Sequence, residues 1–398
     1  MPNTAYFPGK GPLAGITVLD LSAYIAGPYG CTLLADQGAR VVKIEPPTGD
    51  NLRHYPSTLE AESRAFLGVN RSKQGVVLDL KHPEGLATLF TLVGQADVLV
   101  HNFRPSVPER LGIGYDQLRA VNPRLIYCSL TGYGSRGPLR NKAGYDQVLQ
   151  TMTGMCAAQA KPGGPPEILY GSVVDFYAAA LVAGAVSSAL YERERSGLGQ
   201  ALEVSLLSSA LAMQSTRLIW AANEPRALDR DMRSGGITGI HPTRSGHLYL
   251  SANTPHFWQA LCERTGLLHL ATDPRFDTVR KRAEHQDLIV PHLHEALMRH
   301  SAREWEEIFG DAVPCAAARR VDEMFDDPQC AAEHLIAEFE HPVVGRYRGF
   351  TRAVRFTRTP GPAPFAAPKF GADSRPVLRE AGLTDEQITQ MQAKGVLL

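Results

Sequence analysis

Cysteine is scarce in this chain of 398 residues, and the few cysteines are scattered. No two of the six form a CxxC pair, so their spacing excludes both a disulfide framework and the usual zinc-binding cysteine cluster. The six residues are Cys31, Cys128, Cys156, Cys262, Cys315 and Cys330. We expect them to be reduced thiols, and we expect no metal site.

The sequence also lacks an excess of charge of either sign. Lys and Arg together number 41, Asp and Glu together number 41, and the formal net charge is zero. A nucleic-acid-binding protein or a protein of anionic membrane surfaces usually carries a basic excess. The composition therefore predicts no nucleic-acid partner, and it favours a small molecule or another protein.

Little in the sequence points to a membrane or to export. A single apolar run, VVDFYAAALVAGAVSSALY from Val173 to Tyr191, approaches the length of a membrane span. It is rich in Ala, Gly and Ser and carries Asp175, so it predicts a helix buried in a protein core or at a subunit interface, and no membrane contact. The first residues, MPNTAYFPGKGPLAG, have none of the blocks of a signal or transit peptide, which predicts a cytoplasmic protein.

No GxGxxG motif follows the first strand-like run, where the sequence reads SAYIAGP. The later cluster TGYGSRG gives weak support for a nicotinamide or flavin site, and we expect no redox cofactor. The first third of the chain alternates short β-type runs with helix-length segments, which predicts an α/β fold with a parallel sheet. The β-type runs are Ile16–Leu21, Arg40–Glu45, Gly75–Leu80, Asp97–Asn102 and Leu125–Leu130. Parallel sheets of this kind bind ligands at the carboxyl ends of their strands, so the loops after these runs are candidate sites.

The length exceeds that of a usual single core, so we expect two domains. Residues 1–225 are assigned to a large domain, residues 226–325 to a smaller one, and residues 326–398 to a linker and a C-terminal return to the large domain. The return ends in a helix, because Thr384 and Gln387 have the spacing of a capping box.

Asp175 is the residue that position alone singles out. An ionised carboxylate is costly to bury among apolar side chains, and the N–H groups at a helix N-terminus are the groups that could receive it. The commoner interpretation of such a residue is an ordinary N-cap aspartate. Position alone does not decide between the two.

Nine segments, in order and spread over nearly the whole chain, resemble CoA transferases of family III. They read LxGITVLDLSxxxAGP, GARVVKIEPPxGD, NRSKQGVVLDLK, DVLVHNFRPSVPERLG, GYDQVLQ, DFYAAALVAGAVSSALYERERSGLGQ, DPRF, VPCAAARRVDEMFDDPQ and GLTDEQITQMQAKGV. The family includes formyl-CoA, carnitine-CoA and bile-acid-CoA transferases and the α-methylacyl-CoA racemases.

The resemblance implies a fold and a mechanism. It implies a Rossmann-like large domain with a parallel sheet, a smaller α+β domain and an interlocked homodimer. The substrates would be an acyl-CoA and a carboxylic acid, with no tightly bound cofactor. In such enzymes the aspartate at the position of Asp175 attacks the donor thioester, and CoA then moves through a mixed anhydride and an aspartyl-CoA thioester to the acceptor acid.

The same resemblance places Tyr145 and Asp146 in the acyl pocket. Family racemases resemble GHD at this point and use the histidine as one half of an acid–base pair. This chain has tyrosine there, and a phenol with an ordinary pKa of about 10 is a poor base at neutral pH. Transferase is therefore favoured over racemase or epimerase. Without the resemblance, Tyr145 could equally be a packed aromatic residue and Asp146 a helix-start residue.

CoA needs cationic groups for its phosphates and an apolar slot for its adenine. The resemblance implies that six residues provide them. They are Asn102, Phe103, Arg104, Arg110, Arg71 and Lys73. For any one of these cations, the alternative interpretation is a solvated surface charge.

Two further positions concern the substrate. Gly235 and Gly236 resemble the start of the family's mobile glycine loop, although a plain interdomain turn is the alternative. Ala23 and Ile25 stand where relatives carry polar residues, which predicts a less polar pocket wall and a larger acid with an apolar or extended body. The loss of a polar residue at Ala23 also leaves a catalytically silent CoA-binding protein as an alternative function.

Overall fold

The computed structural model describes residues 10–160, 164–225 and 237–398. The predicted lid residues Gly235 and Gly236 lie outside the described residues. Compactness divides the chain into two units, one formed by the chain up to Leu218 together with Pro328–Leu398, the other by Ile219–Asp327. The domain limits inferred from the sequence stay a prediction.

The larger unit is built on a six-stranded sheet in which every pairing is parallel. Its strands are β1 (Thr17–Asp20), β2 (Arg40–Glu45), β3 (Gln74–Val77), β4 (Val98–His101), β5 (Ile126–Thr131) and β6 (Ala201–Ser205). The strand order is β3-β2-β1-β4-β5-β6, which is the Rossmann order. The predicted α/β class with a parallel sheet is confirmed, and β6 is the strand that the sequence analysis missed.

Both faces of the sheet are covered, which explains why its strands are nearly continuous apolar runs. Alternate residues of a strand point to opposite faces. Val18 and Val98 accordingly belong to one hydrophobic core, and Leu19 and Leu99 to a second.

Helices connect the strands and cover both faces. Up to Leu218 they are α1 (Ala26–Asp36), α2 (Arg64–Val69), α3 (Pro83–Val93), α4 (Ser106–Leu111), α5 (Tyr115–Val121), α6 (Asp146–Met152), α7 (Met155–Gln159), α8 (Val173–Ser196) and α9 (Leu206–Ala212), with a 3-10 turn at Asn51–His54. Pro83 opens α3 at the position where a missing N–H costs nothing.

Helix α8 is long and apolar enough to cross a membrane by length and composition. In this fold it is a core helix, because Val174, Val182 and Val186 are fully buried in the hydrophobic core that also contains β5 residues. It lies very close to α1. A Cβ placed on Gly30 of α1 would be 3.0 Å from the Val182 side chain, so this crossing favours glycine.

The smaller unit has its own sheet and its own core. The antiparallel strands β7 (Gly239–Pro242), β8 (His247–Leu250) and β9 (Cys315–Ala317) form the sheet. The helices are α10 (Pro255–Thr265), α11 (Leu268–Ala271), α12 (Val279–Glu284), α13 (Gln286–Leu297) and α14 (Ala302–Phe309), with 3-10 turns at Gly310–Ala312 and Val321–Phe325. Trp258, Trp305 and Phe309 fill its core.

The C-terminal segment packs against the large sheet. It contains α15 (Pro328–Ala332), the hairpin β10 (Ile336–His341) and β11 (Gly345–Phe350), and the helices α16 (Ser374–Glu380) and α17 (Asp385–Ala393). Asp373 accepts a hydrogen bond from the Gly75 N–H at β3 (2.8 Å), which fixes the start of α16 beside the sheet. The predicted capping box of Thr384 and Gln387 opens α17.

Candidate active site

Two cavities open at the carboxyl ends of the large sheet, where the strand order reverses between β1 and β4. The first has a volume of about 220 Å³ and is lined by Asp175; we call it the Asp175 cavity. The second has a volume of about 640 Å³ and lies over the ends of β1 to β4; we call it the strand-end cavity. Tyr24, Asn102 and Phe103 line both cavities. The loops selected from the sequence therefore do form cavities.

The loop after β1 separates the two cavities and is held from both sides. Asn102, directly after β4, accepts a hydrogen bond from the Ala23 N–H (3.0 Å) and donates one to the Ala23 carbonyl (2.7 Å). Tyr24 has a positive φ of 66°, which is strained for a tyrosine, and its N–H donates to Asp50 (3.1 Å). Two neighbouring loops thus fix the backbone that faces both cavities.

Buried charges lie beneath this loop. Lys43 at the end of β2 contacts the Asp50 carboxylate at 2.9 Å and donates to the Ser22 carbonyl at 2.9 Å. Asp20 at the end of β1 accepts a hydrogen bond from the Ser22 N–H (3.0 Å). A buried ion pair is held best when its donors and acceptors are satisfied, and the loop backbone supplies a hydrogen bond to Lys43 and one to Asp20.

Lys73 reaches these buried charges and Arg71 pairs with a carboxylate at the end of α1, so both side chains contact protein carboxylates. The Lys73 ammonium is inaccessible to solvent and donates to Asp20 (2.8 Å), to the Pro28 carbonyl (2.7 Å) and to Asn70 (2.8 Å). Because an ammonium has three donors, none is left for a ligand. Arg71 is buried in a two-bond ion pair with Asp36.

Asp175 lies at the third position of α8, and another carboxylate caps that helix. Asp146 accepts hydrogen bonds from the N–H groups of Val174 (2.7 Å) and Asp175 (3.0 Å). The helix-start N–H groups that the sequence analysis offered to the Asp175 carboxylate are therefore occupied, and Asp175 is not the N-cap residue either. Its side chain instead lines the Asp175 cavity.

The neighbourhood keeps the Asp175 carboxyl close to its titration point at neutral pH. Burial, and then the negative charge of Asp146, raise the pKa of Asp175 from 3.8 to about 7. Asp146 itself is only 2% exposed and accepts a hydrogen bond from Gln150. A half-buried carboxyl with this pKa is a candidate nucleophile, because it is available as carboxylate yet poorly solvated.

Two of the aromatic side chains that line the Asp175 cavity contact each other. The rings of Tyr24 and Tyr145 meet edge to face with their centroids 5.7 Å apart. A hydrogen bond with the Tyr145 hydroxyl, and then burial, raise the pKa of Tyr24. Tyr145 is 51% exposed, so it is not a packed core residue. Ile25 lines this cavity, whereas Ala23 lines the strand-end cavity.

The predicted CoA ligands separate between the two cavities. Arg110 lines the strand-end cavity, Arg104 lines the Asp175 cavity, and Asn102 and Phe103 line both. Lys81 also lines the strand-end cavity and was missed from the sequence. It could have been predicted, because Lys81 is the last residue of the quoted motif NRSKQGVVLDLK and follows β3 closely.

Two further cations of the Asp175 cavity were also missed. Arg140 and Lys142 lie in the segment between β5 and α6 and line this cavity. The prediction made for that segment concerned only its glycine cluster, TGYGSRG. The cations were visible in PLRNKAGYD, next to the quoted GYDQVLQ motif.

Residues 13–374 match the family described as CoA-transferase family III. The chain is 36% identical over 342 residues to the acetyl-CoA:oxalate CoA-transferase of Acetobacter aceti, covering 84% of this chain and 88% of that one. It is 32% identical over 392 residues to the succinate–glutarate CoA-transferase of Agrobacterium fabrum, covering 96% and 97%.

Solved structures agree with these relatives. The orthorhombic form of Rv3272 from M. tuberculosis superposes with a TM-score of 0.81 at 30% identity, covering 92% of this chain and 98% of that one. A CAIB/BAIF family protein from Brucella suis gives a TM-score of 0.82 at 27% identity, covering 94% and 100%. The resemblance inferred from the motifs is confirmed. The protein is an enzyme that transfers CoA between an acyl-CoA and a carboxylate, and the chain belongs to CoA-transferase family III.

Proposed function

We propose that Asp175 is the nucleophile that carries CoA from the donor to the acceptor acid. The observation that supports this most directly is the state of its carboxyl. It lines a cavity at the switch point of the sheet, it has a pKa of about 7, and it makes no side-chain hydrogen bond within residues 10–160, 164–225 and 237–398. A catalytic carboxylate must be free to bond to substrate, and this one is.

The proposed chemistry begins when an Asp175 carboxylate oxygen attacks the carbonyl carbon of the acyl-CoA thioester. The carbon–sulfur bond breaks, and a mixed anhydride and the CoA thiolate form. The thiolate attacks the aspartyl carbonyl and releases the donor acid, which leaves an aspartyl-CoA thioester. The acceptor carboxylate attacks this thioester to form a second anhydride, and the thiolate then attacks the acceptor carbonyl, which regenerates the Asp175 carboxylate.

Asp146 supports this chemistry by position and by charge. It holds the first turn of α8 through two N–H groups, so it fixes the backbone that carries Asp175. Its charge also disfavours ionisation of Asp175. Forming a neutral anhydride or thioester releases more free energy when the carboxylate charge is poorly stabilised, and this favours the covalent steps.

The strand-end cavity is proposed as the nucleotide side of the CoA site. Its volume of about 640 Å³ is within the usual range for bound cofactors. Arg110 and Lys81 would contact phosphate groups, and Phe103 would pack against the adenine or the pantetheine arm. The shared residues Tyr24 and Asn102 would then lie where the arm passes to Asp175.

Racemisation is less well supported than transfer. An acid–base pair needs a second proton-accepting group near Asp175. Among the described residues that line the Asp175 cavity there is no histidine, and Tyr145 stands at the position where the resemblance places the histidine of racemases.

The names of the relatives suggest the acids. Oxalate, succinate and glutarate appear in the names of two of them, so we propose a small carboxylic acid as acceptor. We also propose a cytoplasmic homodimer without a tightly bound cofactor. Native mass spectrometry of the purified protein would give the subunit count and any retained cofactor.

The nucleophile is tested by peptide mapping during turnover. The enzyme is mixed with acetyl-CoA, quenched in acid and digested, and the peptide that contains Asp175 is examined for a CoA adduct. We expect the adduct in the wild type and in Asp116→Asn, an exposed aspartate variant on α5, and no adduct in Asp175→Asn. CoA binding without adduct or turnover would support the catalytically silent alternative instead.

A further inference from the structure

We propose that the Asp175 cavity selects acids that carry a second, distal carboxylate, and that Arg140 and Lys142 bind that carboxylate. This rests on the proposed function, since the first carboxyl group is the one that exchanges CoA at Asp175. The acceptor class would accordingly be short dicarboxylic acids and the donor class their mono-CoA esters.

The first observation is the charge of the cavity. Arg104, Arg140 and Lys142 line it, and Asp175 is the one acidic residue among its described lining residues. None of the three cations makes a side-chain hydrogen bond or ion pair with the part of the chain that the structure describes. With Asp175 ionised, the lining still carries two uncompensated positive charges. An anion beyond the reacting carboxylate would balance them.

The second observation is that the segment carrying Arg140 and Lys142 is held at its base. Gly132 and Gly144 touch, since a Cβ on Gly132 would lie only 2.9 Å from the Cα of Gly144. The two ends of the segment therefore meet at the cavity. The Ser135 hydroxyl donates to Glu203 of β6 (2.8 Å), which ties the segment to the sheet edge.

Within this segment a turn fixes the backbone that carries the two cations. The Lys142 N–H donates to the Leu139 carbonyl (2.8 Å), and the Arg140 N–H donates to the Gly137 carbonyl (3.4 Å). A guanidinium beside an ammonium suits a carboxylate, because the guanidinium can bind both oxygens and the ammonium adds charge. Anchored backbone limits the entropy lost when these long side chains bind a ligand.

The third observation separates this role from phosphate binding. The strand-end cavity has its own cations, Arg110 and Lys81. The Asp175 cavity, at about 220 Å³, is smaller than the roughly 300 Å³ at the lower end for drug-sized ligands, which suits a short acid. The apolar wall inferred from Ala23 and Ile25 predicted a larger acid with an apolar or extended body. Ile25 lines the Asp175 cavity together with other apolar residues, among them Leu130 and Leu206, and with the three cations, whereas Ala23 lines the other cavity.

The experiment compares acids of equal chain length with and without the distal charge. Acetyl-CoA is the donor, because it has no distal carboxylate. The acceptors are unbranched dicarboxylic acids of increasing length, each paired with its monomethyl ester. Initial rates give KM and kcat for the wild type, Arg140→Gln, Lys142→Met and the double variant. Arg136→Gln is the matched control, because Arg136 is an exposed arginine of the same segment and lines neither cavity.

We expect the wild type and Arg136→Gln to prefer a dicarboxylic acid to its monomethyl ester. Each of the two cavity variants should raise KM for the dicarboxylic acid about tenfold to a hundredfold, the effect of one charge-assisted hydrogen bond. Their KM for the monomethyl ester and for acetyl-CoA should change by less than about twofold, and Arg140→Lys should recover part of the loss.

Three results would overturn the inference: no preference for dicarboxylic acids in the wild type, equal losses for both members of a pair, or a raised KM for acetyl-CoA. The last would assign the cations to CoA. CoA adduct formation from acetyl-CoA, measured on the same samples, keeps the two proposals apart. An adduct without dicarboxylate selectivity contradicts this inference alone, whereas absence of the adduct in the wild type contradicts the proposed function.

Discussion

Two groups of cations in the larger unit differ in whether a protein carboxylate neutralises them. Lys43, Lys73 and Arg71 are buried, and each is paired with an aspartate. Arg110 and Lys142 are exposed, line the cavities, and have no side-chain partner among the residues described. The two groups look alike in sequence.

This difference indicates a different role for each group of cations. A buried paired cation holds loops in place, and its removal leaves a buried carboxylate without compensation. An exposed unpaired cation costs little to keep solvated and is free to bind a ligand anion. We therefore expect substitutions in the paired group to change stability and substitutions in the unpaired group to change substrate binding.

The largest expected effect comes from Asp175, the carboxylate that lines the Asp175 cavity. Asp175→Asn should lower kcat by about a thousandfold or more, since an amide is not a nucleophile of comparable reactivity. CoA affinity should stay within about threefold of the wild type, because its phosphate contacts are made elsewhere. Steady-state rates and calorimetric CoA binding check this. Turnover within tenfold of the wild type, with reversion of Asn to Asp excluded by mass, would contradict the mechanism.

Lys73→Met tests the paired group. The change leaves Asp20 buried without its ion-pair partner, so the free energy of unfolding should fall by about 3–5 kcal/mol. Urea denaturation followed by circular dichroism measures it. Lys81→Met, in an exposed cation of the unpaired group, is the matched control and should change stability by less than about 0.5 kcal/mol. Equal losses in the two variants would remove the distinction between the groups.

Arg110→Gln tests the unpaired group. Loss of a charge-assisted contact with a CoA phosphate should raise KM for the donor by about tenfold to a hundredfold and leave kcat nearly unchanged at saturation. The unfolding free energy should not change. If the contacted group is the 3′-phosphate, the effect should shrink with a dephospho-CoA donor. An unchanged KM with both donors would mean that Arg110 is an ordinary solvated surface charge and does not contact CoA.

The smallest expected effect is on pH dependence. Asp175 must be ionised to attack, and its pKa is about 7, so the rate of CoA adduct formation should rise between about pH 6 and pH 8. Asp146→Asn removes the second cause of the raised pKa and should move this midpoint to lower pH, while burial keeps it above 3.8. Single-turnover rates across pH measure the midpoint. A midpoint shift to higher pH would contradict the assigned role of the Asp146 charge.

The same pKa shift has a consequence for stability. Between about pH 4 and pH 7 the folded chain holds a proton on Asp175 that the unfolded chain has lost, so the unfolding free energy falls as pH rises through this window. Asp175→Asn should flatten this part of the stability curve. An unfolding free energy that falls more steeply with pH in the variant than in the wild type would contradict the raised pKa of Asp175.

Much of the fold could be predicted because strand periodicity and loop position are local properties of sequence. The run Arg40–Glu45 was placed to the residue, and four other runs were placed within a few residues. Strand β6, ALEVS, was missed because Glu203 interrupts its apolar pattern and because it follows the long helix α8 directly. The edge position of the strand explains why a charged residue is tolerated there.

The site was predicted less completely, because pairing depends on contacts between distant residues. Nothing near Lys73 in the sequence indicates that Asp20 lies beside it, 53 residues away. The capping of α8 by Asp146 joins residues 28 and 29 positions apart. Motifs identified the charged residues of the region, but only the three-dimensional arrangement separates those that bind each other from those left for a ligand.

The central claim is that an Asp175 oxygen bonds to the acyl group, and oxygen transfer tests it most directly. The acceptor acid is supplied with both carboxylate oxygens replaced by the heavy isotope. The account predicts that each turnover leaves one heavy oxygen in the Asp175 carboxyl, seen by peptide mass mapping, and that later turnovers pass heavy oxygen to the released donor acid. Complete turnover with no heavy oxygen in the Asp175 peptide or in the donor acid would contradict the account.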